Sequence, residues 1–212
     1  MDIIPVFLGE IASYRDAFYN RILPAFSQIE KEAEAASEQE HTRLSSRAGP
    51  NSDEAQIAEK AYFHGVDLYL TTRATTQGVV NLMVAGLYHL FEQHAQRVLM
   101  ISTGKYTKDC TDLVGKVLKS LGVEQDELEK SGCLKTIQEL RFVANTVKHG
   151  EGDSCKKLHE LRPALFEMGL DIDGMNRIPA HPMTGEGLYL KQEDFERYAN
   201  GLLSFWKGII GT

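Results

Sequence analysis

Apolar residues recur along most of this chain at alternating steps of three and four, the period of a helix that buries one side. Phe7, Ile11, Tyr14, Phe18, Ile22, Phe26 and Ile29 share one such stripe, which predicts a first helix packed along its length. Pro24 interrupts the stripe and removes a backbone donor, so a kink is expected there. From Glu30 to His41 the chain is charged and alanine-rich, and Ser45-Ser-Arg-Ala-Gly-Pro50-Asn-Ser follows. Residues 1–50 therefore read as a long kinked helix that projects and ends in a loop.

Asp53 is placed to cap a second helix reaching about Thr72, with Ile57, Tyr62 and Leu68 on it. Val80, Met83, Val84, Leu87, Phe91, Val98 and Ile101 predict a third helix between about Gln77 and Ser102, with Gly104 as its stop. A short amphipathic helix is expected from Thr107 to Leu121, ended by Gly122. The stretch from Gln125 to Lys148 carries Leu128, Leu134, Ile137, Leu140, Ala144 and Val147. It should bend near Ser131-Gly132 and be capped by Gly150. Ser154 is expected to cap a helix from Cys155 to about Met168, which Pro163 breaks. Glycine, proline and aspartate dominate 169–187, a long loop. Leu188-Tyr-Leu190 reads as briefly extended, and a last helix begins near Gln192 with Phe195, Tyr198, Leu202, Phe205, Trp206 and Ile209 as its apolar side.

The fold expected is all-α: a bundle of roughly five to seven helices with negligible β content. It is read as one helical domain over 1–212, with an N-terminal helix and loop (1–50), a core (53–168), a loop (169–190) and a C-terminal helix (191–212).

Composition narrows the function. With 42% hydrophobic and 25% charged residues the chain lies in the ordinary globular range. Cys110, Cys133 and Cys155 show no CxxC spacing, so neither a disulfide framework nor a zinc knuckle is expected, and a reducing, cytoplasmic location fits. The start lacks the pattern of a secretory signal, and no stretch approaches the ~20 apolar residues that cross a bilayer. No membrane is therefore expected. A net charge of −7 argues against binding nucleic acid by overall electrostatics. Any such activity must come from a few placed cations, with Lys135, Arg141 and Lys148 as candidates.

The most unusual polar cluster is Arg141-Phe-Val-Ala-Asn145-Thr-Val-Lys148-His149-Gly150. On a helix Arg141, Asn145 and His149 are offset by about 40° at each step, and Lys148 lies about 20° from Arg141. Two cations, an amide and an imidazole thus share one face. Such a set suits cleavage of an RNA phosphodiester. The imidazole takes the proton of a 2′-hydroxyl, the cations stabilise the phosphorane oxygens and the amide positions the phosphate. No metal or cofactor is required. The plainer reading is that Lys148-His149-Gly150 is simply what a helix C-terminus prefers, with Arg141 paired to Glu139, Glu92 or another carboxylate.

The run Glu139-Leu-Arg141-Phe-Val-Ala-Asn145-Thr-Val-Lys148-His149-Gly150 resembles the signature helix of the HEPN superfamily (higher eukaryotes and prokaryotes nucleotide-binding). Its ribonucleases carry an arginine, usually a polar residue after it, and a histidine four to six residues beyond. Here seven residues separate Arg141 from His149, and Phe142 follows the arginine. Gly86-Leu-Tyr88-His89-Leu-Phe91-Glu92-Gln93 is similar to the helix that in such bundles brings a glutamate near the arginine and histidine. Leu161-Arg-Pro-Ala-Leu-Phe166 and Phe205-Trp206 extend the likeness over about 77–210. The resemblance implies a helical homodimer across the signature helix, a composite RNA-cleaving site and a role as a toxin or phage-defence effector. A separate antitoxin or regulatory chain is implied as partner. Arg141, Asn145 and His149 would be catalytic, Lys148 and Arg141 would bind RNA, and Glu92 would support them. The competing expectation is a non-catalytic module that uses the same face for a protein partner or nucleotide.

Other candidates are weaker. His89, Glu92 and His94 lie within two turns, but no matching Glu-xx-His partner completes a metal site. Arg73, after Tyr62, His64, Asp67 and Tyr69, is a second candidate RNA contact. His181 falls in the long loop between Pro179 and Pro182. Gly185-Glu-Gly187 is too short for a phosphate-binding loop, and P-loop, dinucleotide, GxSxG and Cys-His signatures are absent.

Overall fold

A computed structural model describes residues 3–107, 112–166 and 187–211. The described residues are helical with no strand, an all-α bundle as the pattern predicts. The helices are α1 (Ile4–Ala17), α2 (Ile29–Ser45), α3 (Glu54–Thr103), α4 (Leu113–Leu121), α5 (Gln125–Lys130), α6 (Cys133–His149), α7 (Asp153–Leu161) and α8 (Gln192–Gly211). The chain divides into two compact units, one of residues 1–17 and 80–212 and the other of residues 18–79.

The larger unit has a dense aromatic core. Phe7 and Ile11 of α1, Leu87 and Phe91 of α3, Ile137 and Leu140 of α6, and Phe195, Tyr198, Phe205 and Trp206 of α8 are all fully buried. Phe91 meets Phe205 edge-on with ring centroids 5.5 Å apart and Trp206 at 5.9 Å. Each such ring removed from water contributes on the order of 2 kcal/mol. The apolar stripe read for α8 is the buried stripe, and α8 packs against both α1 and α6. Gly86 lies where the Tyr14 hydroxyl presses on α3, and a Cβ there would overlap it. That hydroxyl donates to the Met83 carbonyl at 3.0 Å, and burial pushes its pKa up to about 12.

Helix ends follow their chemistry. Asp112 caps α4 by accepting from the Gly115 N–H, so α4 starts later than Thr107. Gly132, at φ +73°, takes the left-handed turn between α5 and α6 that the sequence marks as a bend. α7 begins at Asp153, before Ser154, whose hydroxyl is used elsewhere and does not cap it. Pro163 opens a 3-10 turn to Phe166. The irregular segment 188–190 buries Leu188 and Leu190. The Asn81 amide holds it, donating to the Leu188 carbonyl at 2.8 Å and accepting from the Leu190 N–H at 3.3 Å. Of the expected loop over 169–187, residues 169–186, with His181, lie outside the described residues, as does Cys110.

In the smaller unit the kink at Pro24 is a π-helical turn (Phe18–Ile22) followed by a 3-10 turn (Leu23–Phe26). The Asp53 carboxylate accepts from the Ala55 and Gln56 N–H groups, as an N-cap should. The helix it starts does not stop near Thr72 as expected, because α3 runs unbroken through Thr103. Thr75 and Thr76 direct their hydroxyls onto the carbonyls of Thr71 and Thr72. The threonine run therefore satisfies itself inside the helix and breaks nothing.

Candidate functional site

α6 is positioned by a buried face of Cys133, Ile137, Leu140, Val143 and Thr146, set against α7 and α8. The candidate residues lie off that face. Arg141 is half-buried and lines a cavity of about 590 Å³ with Tyr88, Phe91, Leu113, Lys135 and Gln138. One turn on, Asn145 is half-buried and donates from Nδ2 to the Ser154 hydroxyl at 3.2 Å, which ties α6 to α7. Lys148 and His149 are exposed in the last turn. Gly150 then closes the helix, its N–H donating to the Thr146 carbonyl at 2.8 Å.

The imidazole of His149 thus faces solvent and not the core, while Arg141 borders a cavity that His149 does not line. Glu92 lies with its carboxylate 3.7 Å from His89 Nδ1 on its own helix. No hydrogen bond or ion pair among the described residues joins it to Arg141 or His149. Arg73, the second candidate cation, donates to the Tyr69 hydroxyl at 3.0 Å. Among the described residues no group of three or more His, Cys, Asp or Glu is placed to hold a metal ion. No helix there is long and apolar enough to cross a membrane. Cys133 and Cys155 are buried free thiols, and burial, with Glu151 nearby, raises the pKa of Cys155.

Two polar groups have roles that the sequence reading did not give them. Glu139, offered there as an Arg141 partner, instead accepts from Arg162 at 3.2 Å, from the Tyr198 hydroxyl at 2.7 Å and from Arg197. Asp194 also takes Arg162, at 3.3 Å, and accepts from the Lys191 N–H at the start of α8. This clamp fastens α6, the end of α7 and α8. Burial, and the carboxylate that accepts its hydroxyl, hold the Tyr198 phenol far above its ordinary range. A charged residue beside the Leu140 and Val143 stripe was the available signal.

The second group is His94, fully buried and stacked on Phe7 at 4.1 Å, with Nε2 2.7 Å from Glu10. Arg97 also pairs with Glu10, at 3.0 Å. Burial lowers the His94 pKa against the pull of Glu10. Glu10 is raised by burial, but hydrogen bonds from Arg97 and His94 outweigh this and lower it. A neutral imidazole donating to a carboxylate satisfies both directions. His94 stands seven residues after Leu87 and four before Val98, inside the core stripe, and that spacing marks it as a core histidine rather than a ligand. Compared with models of known protein families, with characterised proteins and with solved structures, the chain matches none.

Proposed function

We propose that this protein is a metal-independent endoribonuclease of the cytoplasm that acts at the C-terminal half of α6. The observation that carries this reading is the exposed His149, one turn beyond Asn145 and two beyond Arg141, with Lys148 beside it. His149 accepts the proton of a 2′-hydroxyl as its oxygen attacks phosphorus, and the bond to the 5′-oxygen breaks. The 5′-oxygen takes a proton from a second imidazole, supplied by another copy of the chain across α6. The products are a 2′,3′-cyclic phosphate and a 5′-hydroxyl. Arg141 and Lys148 stabilise the charge that grows on the phosphorane oxygens. Asn145 keeps its second amide proton for the phosphate while Nδ2 donates its first to the Ser154 hydroxyl. The resemblance of the α6 run to the HEPN signature supports the same reading, with a toxin or defence role held in check by a partner chain.

Incubating the full-length protein with mixed-sequence RNA in EDTA, beside His149→Ala, tests it. Cleavage by the parent, and its loss in the variant with an unchanged thermal transition, is the expected result.

A second reading is favoured by the cavity itself. It gathers Arg141, Lys135 and Gln138 with the carboxylates Asp112 and Glu129 and without His149, a mixed-charge lining suited to holding a protein partner or a nucleotide without cutting. Saturable binding that Arg141→Ala removes, with no RNA cleavage, is its signature.

A further inference from the structure

In the unit of residues 18–79, α2 and α3 lie so close that a Cβ on Gly65 would stand 2.7 Å from the Ala33 carbonyl and 2.9 Å from Ser37 Cβ. Alongside this contact runs a groove of about 420 Å³. Its floor is apolar and aromatic, from Tyr62, Val66 and Tyr69, and one wall carries Glu30, Glu34 and Glu38. These carboxylates are spaced four residues apart along α2, so they form a row above the floor. Among the described residues none of the three has a cationic partner, whereas neighbouring Glu40 is paired with Arg43. Like charges at this spacing oppose the helix that bears them. An incoming cation relieves that repulsion.

The unit is also short of core. Its buried hydrophobic residues are Phe18, Ala33 and Ala61, while Tyr62 is 63% and Phe63 53% exposed. Two alanines and one phenylalanine bury little apolar area for the conformational entropy of a helical hairpin, so covering the groove stabilises it.

We infer that this groove docks a lysine- or arginine-bearing amphipathic helix of another protein, its apolar side on Tyr62, Val66 and Tyr69 and its cations along Glu30, Glu34 and Glu38. Helix-in-groove recognition uses such a floor and rim, and complementary charge selects the partner. A second copy is the poorer occupant, because it brings the same acidic row from a chain of net charge −7. The docking site stands apart from the RNA reading and survives its failure.

The test uses the full-length protein and a fluorescein-labelled synthetic helix with lysines on one side and leucines on the other, read by fluorescence anisotropy. Saturable binding is expected, and the triple variant Glu30→Gln/Glu34→Gln/Glu38→Gln should weaken it by about tenfold, as the loss of three exposed pairs implies. The exposed control triple Glu54→Gln/Glu59→Gln/Glu160→Gln removes the same charge elsewhere and should change it less than about twofold. Tyr62→Ser, which alters the floor and no charge, should weaken it several-fold. Circular dichroism confirms that each variant keeps its helices. No saturable binding to the parent, or equal losses in both triples, overturns the proposal. So does a dimer in sedimentation equilibrium that Tyr62→Asp dissociates, since the groove then belongs to a second copy.

Discussion

Helix α6 carries two sets of polar side chains, and packing buries them to different degrees. Glu139 is taken by Arg162, Arg197 and Tyr198, so its charge is spent joining three helices. Two to ten residues further on, Arg141, Asn145, Lys148 and His149 pass from half-buried to exposed as the helix leaves the bundle. The lesson is that residue type alone does not separate a structural ion pair from a candidate site. Acidic and basic residues two positions apart on one helix fall on different sides of it, and the neighbouring helices decide what each can reach.

That contrast can be broken first on the structural side. Glu139→Ala leaves the Arg197 guanidinium and the Tyr198 phenol without this acceptor and Arg162 with Asp194 alone. Since Arg162 and Arg197 keep 35% of their side chains exposed, the cost should be about 2 kcal/mol, less than for a fully buried pair, or on the order of 5 °C in Tm. A thermal melt checks this, and a variant as stable as the parent shows the clamp to be decorative.

Acid probes the other buried group. His94 has its folded pKa lowered by burial, so the unfolded chain binds its proton first as pH falls. Its contribution is complete above its unfolded value near 6.5 and is lost as pH drops toward the folded value. Glu10, also lowered, adds a loss with the same sign below about 4.5. Urea midpoints should therefore decline from pH 6.5 downward, and His94→Phe should flatten the upper part of that decline. A parallel curve in the variant contradicts the assignment.

The second set on α6 should behave differently. Asn145→Ala and Ser154→Ala each remove the same hydrogen bond, costing about 1 kcal/mol or less. RNA cleavage should fall in the first and hold in the second, because only Asn145 faces the phosphate in the proposed site. Equal activities assign Asn145 to structure alone. The smallest effect is expected at Lys148. Lys148→Ala should weaken RNA binding a few-fold and reduce the salt slope by about one phosphate contact, with no change in stability.

Much of this was legible in the sequence, and the reasons are local. The three-and-four spacing of α8, the stop at Gly150 and the kink at Pro24 depend on neighbours within a turn or two, and each appears where the pattern places it. The break expected near Thr72 does not, because the threonine hydroxyls bond back to carbonyls of the same helix. The role of Glu139 was not legible for a different reason. Its partners Arg162 and Arg197 lie 23 and 58 residues away, a distance at which spacing says nothing. For the candidate site, periodicity sufficed to place Arg141, Asn145 and His149 on one helix. That Asn145 reaches Ser154 and that Arg141 borders a cavity required the packing of α7 and α3.

The most direct measurement is the chemistry of the ends left on RNA by the purified protein in EDTA. The parent should produce 2′,3′-cyclic phosphate termini, and His149→Ala should lower the rate by about a hundredfold or more at an unchanged Tm. No cleavage by the parent, or equal rates for parent and variant, would contradict a catalytic role for the α6 imidazole.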